Sequence, residues 1–132
     1  MAPYLQAWLG AFFFTQVVEV PIWAAALRRD RRVPADPEDR DPWTPGRWPI
    51  WMCVAVGFGA SAITHPFVWF AFPRFARGGY VSMVVQAEAF AVIVEAVYTG
   101  LLGLRRPISW SLLANGSSAL LGLLSRWLFG WP

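Results

Sequence analysis

Four long apolar runs, each long enough to cross a bilayer as a helix, leave this chain few folds to choose from. A hydrocarbon core about 30 Å thick takes about 20 helical residues to span, and residues 4–27, 49–72, 80–104 and 108–129 each meet that length. Backbone groups in lipid must be bonded within their own segment, so such runs are expected to be helices rather than open strands. With 14% charged residues against about 25% in soluble domains, the chain cannot cover a water-facing surface. Eleven of the nineteen charged residues crowd between Arg28 and Arg47. Many of the nine Trp flank the apolar runs, the arrangement of interfacial anchoring belts.

The links between the runs carry helix breakers: Pro34, Pro37, Pro42 and Pro45 in the first, Pro73, Gly78 and Gly79 in the second, Pro107 after the third. Short second and third links force antiparallel neighbours. The expectation is an all-α, membrane-spanning four-helix bundle, a single transmembrane domain over residues 1–132. Near the span ends, eight Arg (28, 29, 31, 32, 40, 47, 105 and 106) lie on one side and three (74, 77 and 126) on the other. The positive-inside rule then makes 28–48 a cytoplasmic loop and puts both termini on the outer side. The first run has no basic residue before it and exceeds a signal h-region of about 7–15 residues, so it is expected to stay in the mature protein. The loop itself, with mixed charge and several prolines, reads as a solvated connector, and its Arg28 to Arg32 cluster can meet anionic lipid headgroups. The composition, free of Lys and rich in Ala, Arg, Gly and Pro, points to a GC-rich bacterial source and so to the inner membrane. Cys53, alone, supports neither an internal disulfide nor a cysteine metal cage. A net charge of +3 concentrated beside five acids is no nucleic-acid patch.

Ionisable groups inside apolar runs are expensive and therefore candidates for function. Here they are Glu19, His65, Glu88 and Glu95, joined by Asn115. A rise of about 1.5 Å per residue puts Glu19, Glu95 and Asn115 about 4–5 Å to the loop side of their span centres, and His65 and Glu88 about 6–7 Å to the other side. Glu88 and Glu95, seven residues apart, share a helix face. Ser111, Asn115, Ser118, Gly122 and Ser125 make a small polar stripe on the fourth run, and Gly57, Ser61 and His65 another on the second; such stripes pack helices closely and bond across them. Gln16 stands one turn before Glu19. Tyr98, one turn after Glu95, is placed to donate to it. Pro21 and Pro66 each free a carbonyl, of Val17 and of Ala62, within a turn of Glu19 or His65.

The segments THPFVWF (64–70), AEAFAVIVEAVY (87–98) and ANGSS (114–118) resemble a pattern in small bacterial four-helix multi-pass membrane proteins to which no activity is assigned. The resemblance implies the architecture and no mechanism. Small multidrug transporters share four spans and an early intramembrane Glu but have different sequence around it, and the paired-Glu-to-Arg motif of glutamate-dependent CAAX-type intramembrane proteases is missing here.

Three functions remain open. The first is a buried carboxylate and histidine site that binds or relays a proton or small cation, as part of a transporter or larger complex: Glu19 and Glu95 as inner carriers, His65 and Glu88 as an outer pair, Asn115 orienting them. The second is a structural or assembly subunit whose acids lock helices together. The third is an intramembrane hydrolase, with Glu88 or Glu95 as general base or a divalent metal held by His65, Glu88 and Glu95; the sequence has no Gly-rich phosphate loop, GxSxG or HExxH. The expected partners are the lipid bilayer and a second copy or a larger membrane complex.

Overall fold

A computed structural model describes residues 2–33 and 47–131. The proline-rich part of the first link, including Arg40, lies outside the described residues. The described chain is helical: α1 Ala2–Asp30, α2 Ile50–Phe70, a single turn α3 Phe72–Phe75, α4 Gly79–Leu101 and α5 Pro107–Phe129. Four of these helices are long and apolar enough to cross a membrane, the second span continuing from α2 through α3. Their outward faces bear large apolar side chains such as Phe13, Val85, Leu101 and Leu120, each more than half exposed. That surface belongs in lipid, and the architecture is that of a multi-pass membrane protein.

Helix ends follow local chemistry. α1 runs to Asp30, three residues past the expected 27, with Arg28 and Arg29 in its last turn opposing the negative end of the helix dipole. α4 stops at Leu101, short of the expected 104, because Gly103 takes a left-handed φ of 89°. Gly103 N–H then donates to Gly100 O and Leu104 N–H to Thr99 O, a Schellman-type closure that any β-carbon would strain. Both α1 and α2 continue unbroken through Pro21 and Pro66.

α1 packs on α2 and α5, and α4 packs on the same two helices, so the bundle is a closed ring with α1 and α4 on one diagonal. The termini meet at one end, where Trp131 contacts Phe14. At the other end a clasp ties α1 to the α4–α5 link. Asp30 accepts from Arg106 Nε at 3.0 Å and Nη2 at 3.1 Å and from Trp110 Nε1 at 2.9 Å, which sets its negative charge against the positive end of α5. Arg105 N–H donates to Asp30 O, Arg32 N–H to Gly103 O and Arg31 Nε to Leu102 O, so carbonyls left open where α1 and α4 end find donors. The Arg31 guanidinium also lies 3.9 Å from the centroid of the Trp48 ring, a cation–π contact that pins the start of the second span.

Between the clasp and the middle of the bundle sits a dry core that includes Trp23, Leu27, Cys53, Ala60, Leu104 and Ala114. Gly57 is what lets α1 and α2 approach there: a Cβ on it would fall 2.8 Å from Trp23 Cβ. Gly116, by contrast, faces open space. Gly57→Ala is therefore expected to lower stability by about 1–3 kcal/mol through overpacking, whereas Gly116→Ala is neutral or gains up to about 1 kcal/mol of helix propensity. Thermal melts of both variants in lipid nanodiscs check this; equal melting temperatures would contradict the packing described.

Candidate functional site

A carboxylate inside a bundle needs donors close by, because no water competes for its lone pairs. Glu19 and Glu95 are each 1% exposed and face one another across the ring from α1 and α4. Each of their oxygens has its own donor. Ser61 Oγ donates to Glu19 Oε2 and Ser118 Oγ to Glu19 Oε1. Thr64 Oγ1 donates to Glu95 Oε1 at 2.7 Å, and Asn115 Nδ2 to Glu95 Oε2 at 2.7 Å. Helices α2 and α5 therefore each supply one donor to each acid. Four spans are joined by four hydrogen bonds at one depth.

Helical spacing accounts for this division. Ser61 and Thr64 are three residues apart on α2, as are Asn115 and Ser118 on α5, so each pair occupies one face and reaches both acids. The donors are themselves held. Asn115 Nδ2 also bonds Ser111 O at 3.1 Å, and Ser111 Oγ donates to Val92 O on α4 at 3.0 Å. Two hydroxyls have a second acceptor within reach: Thr64 Oγ1 lies 3.2 Å from Ser61 O, and Ser118 Oγ 3.0 Å from Asn115 O. A hydroxyl so placed can donate to a carboxylate, or accept from a protonated carboxyl and turn its own hydrogen to the backbone.

A cavity of about 180 Å³ opens beside these acids, lined by Glu19, Glu95, Asn115, Ser118, His65 and Glu88 among others. All five ionisable or amide candidates read from the sequence border one space. The cavity lies on the terminal side of the acids, from Ala11 to Glu19 on α1 and from Asn115 to Gly122 on α5, while the dry core closes the clasp side. Glu88, two turns from Glu95 and half-buried, stands farther toward the terminal end.

Several expectations take a different form. His65 and Glu88 line the same cavity but make no ion pair or hydrogen bond with each other among the described residues. The imidazole is instead packed by Phe12, with ring centroids 5.2 Å apart, and by Trp8 and Trp69, and its Nε2 has no described partner. Tyr98 does not donate to Glu95, whose oxygens are taken by Thr64 and Asn115; its hydroxyl lies over Gly59 instead. Gln16 is buried, yet both polar atoms of its amide lack a described partner, and nothing in the structure explains it. Among the described residues no three His, Cys, Asp or Glu side chains gather closely enough to hold a metal ion, so His65, Glu88 and Glu95 border one cavity without forming a ligand cluster.

Thr64 is a site residue that the sequence signals only by its place three residues after Ser61. The clasp of Asp30, Arg106 and Trp110 has no sequence signal, because its partners are far apart in the chain.

The chain matches no protein-family model, and neither curated proteins nor solved structures yield a similar protein. The site therefore rests on its own geometry. Thr64→Val, which keeps shape and deletes the donor to Glu95, is expected to cost about 1 kcal/mol, while Thr64→Ser retains most of that stability. Unfolding in bicelles measures the difference, and a Val variant as stable as wild type would contradict the assigned bond.

Proposed function

We propose that the protein binds a proton, or a small cation in its place, at Glu19 and Glu95 within the membrane, and passes it to a transporter or larger complex in which it is a subunit. One observation carries this reading: each acid has a hydroxyl donor with a backbone carbonyl as alternative acceptor, so gaining or losing a proton strands no buried polar group. With Glu19 ionised, Ser118 donates to it. With Glu19 protonated, the carboxyl O–H donates to Ser118 Oγ, whose hydrogen turns to Asn115 O. Thr64 serves Glu95 in the same way, turning to Ser61 O.

The cavity gives direction to the binding. Protons reach the acids from the terminal end, past Glu88, and the Trp23 to Ala114 core blocks the clasp side. The arginine distribution supports both termini outside the cytoplasm with the clasp inside, and the Lys-free composition rich in Ala, Arg, Gly and Pro supports a bacterial inner-membrane protein. Uptake is then from the outer side, and onward transfer needs a rearrangement of the core or a partner subunit.

A purely structural lock would use the same hydrogen bonds but tolerate isosteric amides. Glu19→Gln with Glu95→Gln is expected to leave the bundle folded and abolish proton-coupled flux or proton uptake in proteoliposomes, each single change lowering it severalfold. Wild-type flux in the folded double variant would refute the proposal and leave the acids as interhelical ties.

A further inference from the structure

The clasp end holds a second concave feature, unconnected with the carboxyl site. A pocket of about 430 Å³ there is lined by Arg28, Arg29, Arg47 and Arg105, with Arg31 and Trp48 against each other in its wall. It adjoins a groove of about 790 Å³ between α1 and α2, and Arg28, Arg29 and Arg47 line both. Away from these arginines the groove is apolar, bordered by Val20, Pro21, Ala24, Ala25, Ile50 and Val54. The small side chains of Ala24 and Ala25 create its depth.

The charges at this end do not cancel among the described residues. Asp30 is the sole described carboxylate there, and it is engaged by Arg106, the residue before α5, and by Trp110 on α5. Arg28, Arg29, Arg47 and Arg105 are exposed and carry their charge where the outermost turns of the spans reach a membrane surface. A basic pocket at a span end, continued by an apolar groove along two membrane helices, complements one kind of molecule in both halves.

We propose that this pocket and groove bind an anionic glycerophospholipid, its phosphate held by Arg28, Arg29 and Arg47 and one acyl chain lying along α1 and α2 over Ala24 and Ala25. Guanidinium forks match phosphate oxygens in pairs. Lipid tails are available everywhere in a bilayer, so the groove adds little selectivity and orients the molecule; the headgroup charge decides which lipid stays. The competing anion that the test must separate is the chain's own segment 34–46, whose sequence carries Asp36, Glu38, Asp39 and Asp41.

Native mass spectrometry of the detergent-purified full chain, given equal amounts of phosphatidylglycerol and phosphatidylcholine with identical acyl chains, tests this. The wild type is expected to retain phosphatidylglycerol with at least roughly tenfold preference. Arg28→Gln, Arg29→Gln and Arg47→Gln together reduce that preference to near one, while the corresponding triple Lys variant keeps much of it. Arg74→Gln with Arg77→Gln, at the opposite end, leaves it unchanged, which separates a site from general surface charge. Ala25→Trp fills the groove and lowers retention with every arginine in place, so the test stands even if the triple Gln variant does not fold. Equal retention of the two lipids overturns the proposal, as does full retention in the folded triple Gln variant or in Ala25→Trp. Displacement by inorganic phosphate at modest concentration would make the pocket a free-anion site instead. Phosphatidylglycerol preference seen only after Asp36, Glu38, Asp39 and Asp41 are neutralised would identify those residues as the occupant.

Discussion

Two carboxyl groups held away from water set the terms for the rest of this molecule. Burying an acid in a membrane bundle costs several kcal/mol unless its oxygens find donors. Glu19 and Glu95 find theirs on both helices that separate them, Ser61 and Thr64 on one side and Asn115 and Ser118 on the other. No single helix can meet that demand, so the hydrogen bonds fix the rotation of all four spans relative to one another. Apolar packing does not distinguish one rotation from another nearly so sharply, because lipid competes for the same surfaces.

The two ends of the bundle divide the remaining work. At the clasp end, Asp30 and Arg31 close the ends of α1 and α4, and the core beneath them is dry. Toward the termini the interior opens into a cavity edged by His65 and Glu88. A polar layer with an apolar core on one side and a cavity on the other is the geometry on which the proposed proton site rests.

Much of this was legible in the sequence, and the rest was hidden for definite reasons. Four apolar runs of bilayer length announce the spans, and the acids inside them announce the buried polar layer. The three- and four-residue spacing of Ser61, His65, Asn115 and Ser118 tells which faces turn inward. Spacing along one helix says nothing, however, about which side chain on a neighbour comes opposite, so it offers Tyr98 as a donor to Glu95, a place that Thr64 takes in the structure. His65 and Glu88 border one cavity without touching for a similar reason, since aromatic rings from α1 pack against the imidazole. Asp30 looked solvated because it sits in a run of arginines; its real partners, Arg106 and Trp110, are 76 and 80 residues away.

The proposed site requires that the chamber beside Glu19 and Glu95 be reached from the terminal side and closed on the clasp side. Cysteine accessibility measures this directly. In a Cys53→Ala background, Ala119→Cys and Ala91→Cys, both on the cavity wall, and Ala60→Cys, in the dry core, are exposed to a small membrane-impermeant thiol reagent from each side of oriented proteoliposomes. Labelling of the two cavity positions from the terminal side alone, with Ala60→Cys unreactive from either side, is the predicted result. Labelling of the cavity positions from the clasp side, or of Ala60→Cys as readily as Ala119→Cys, would contradict it.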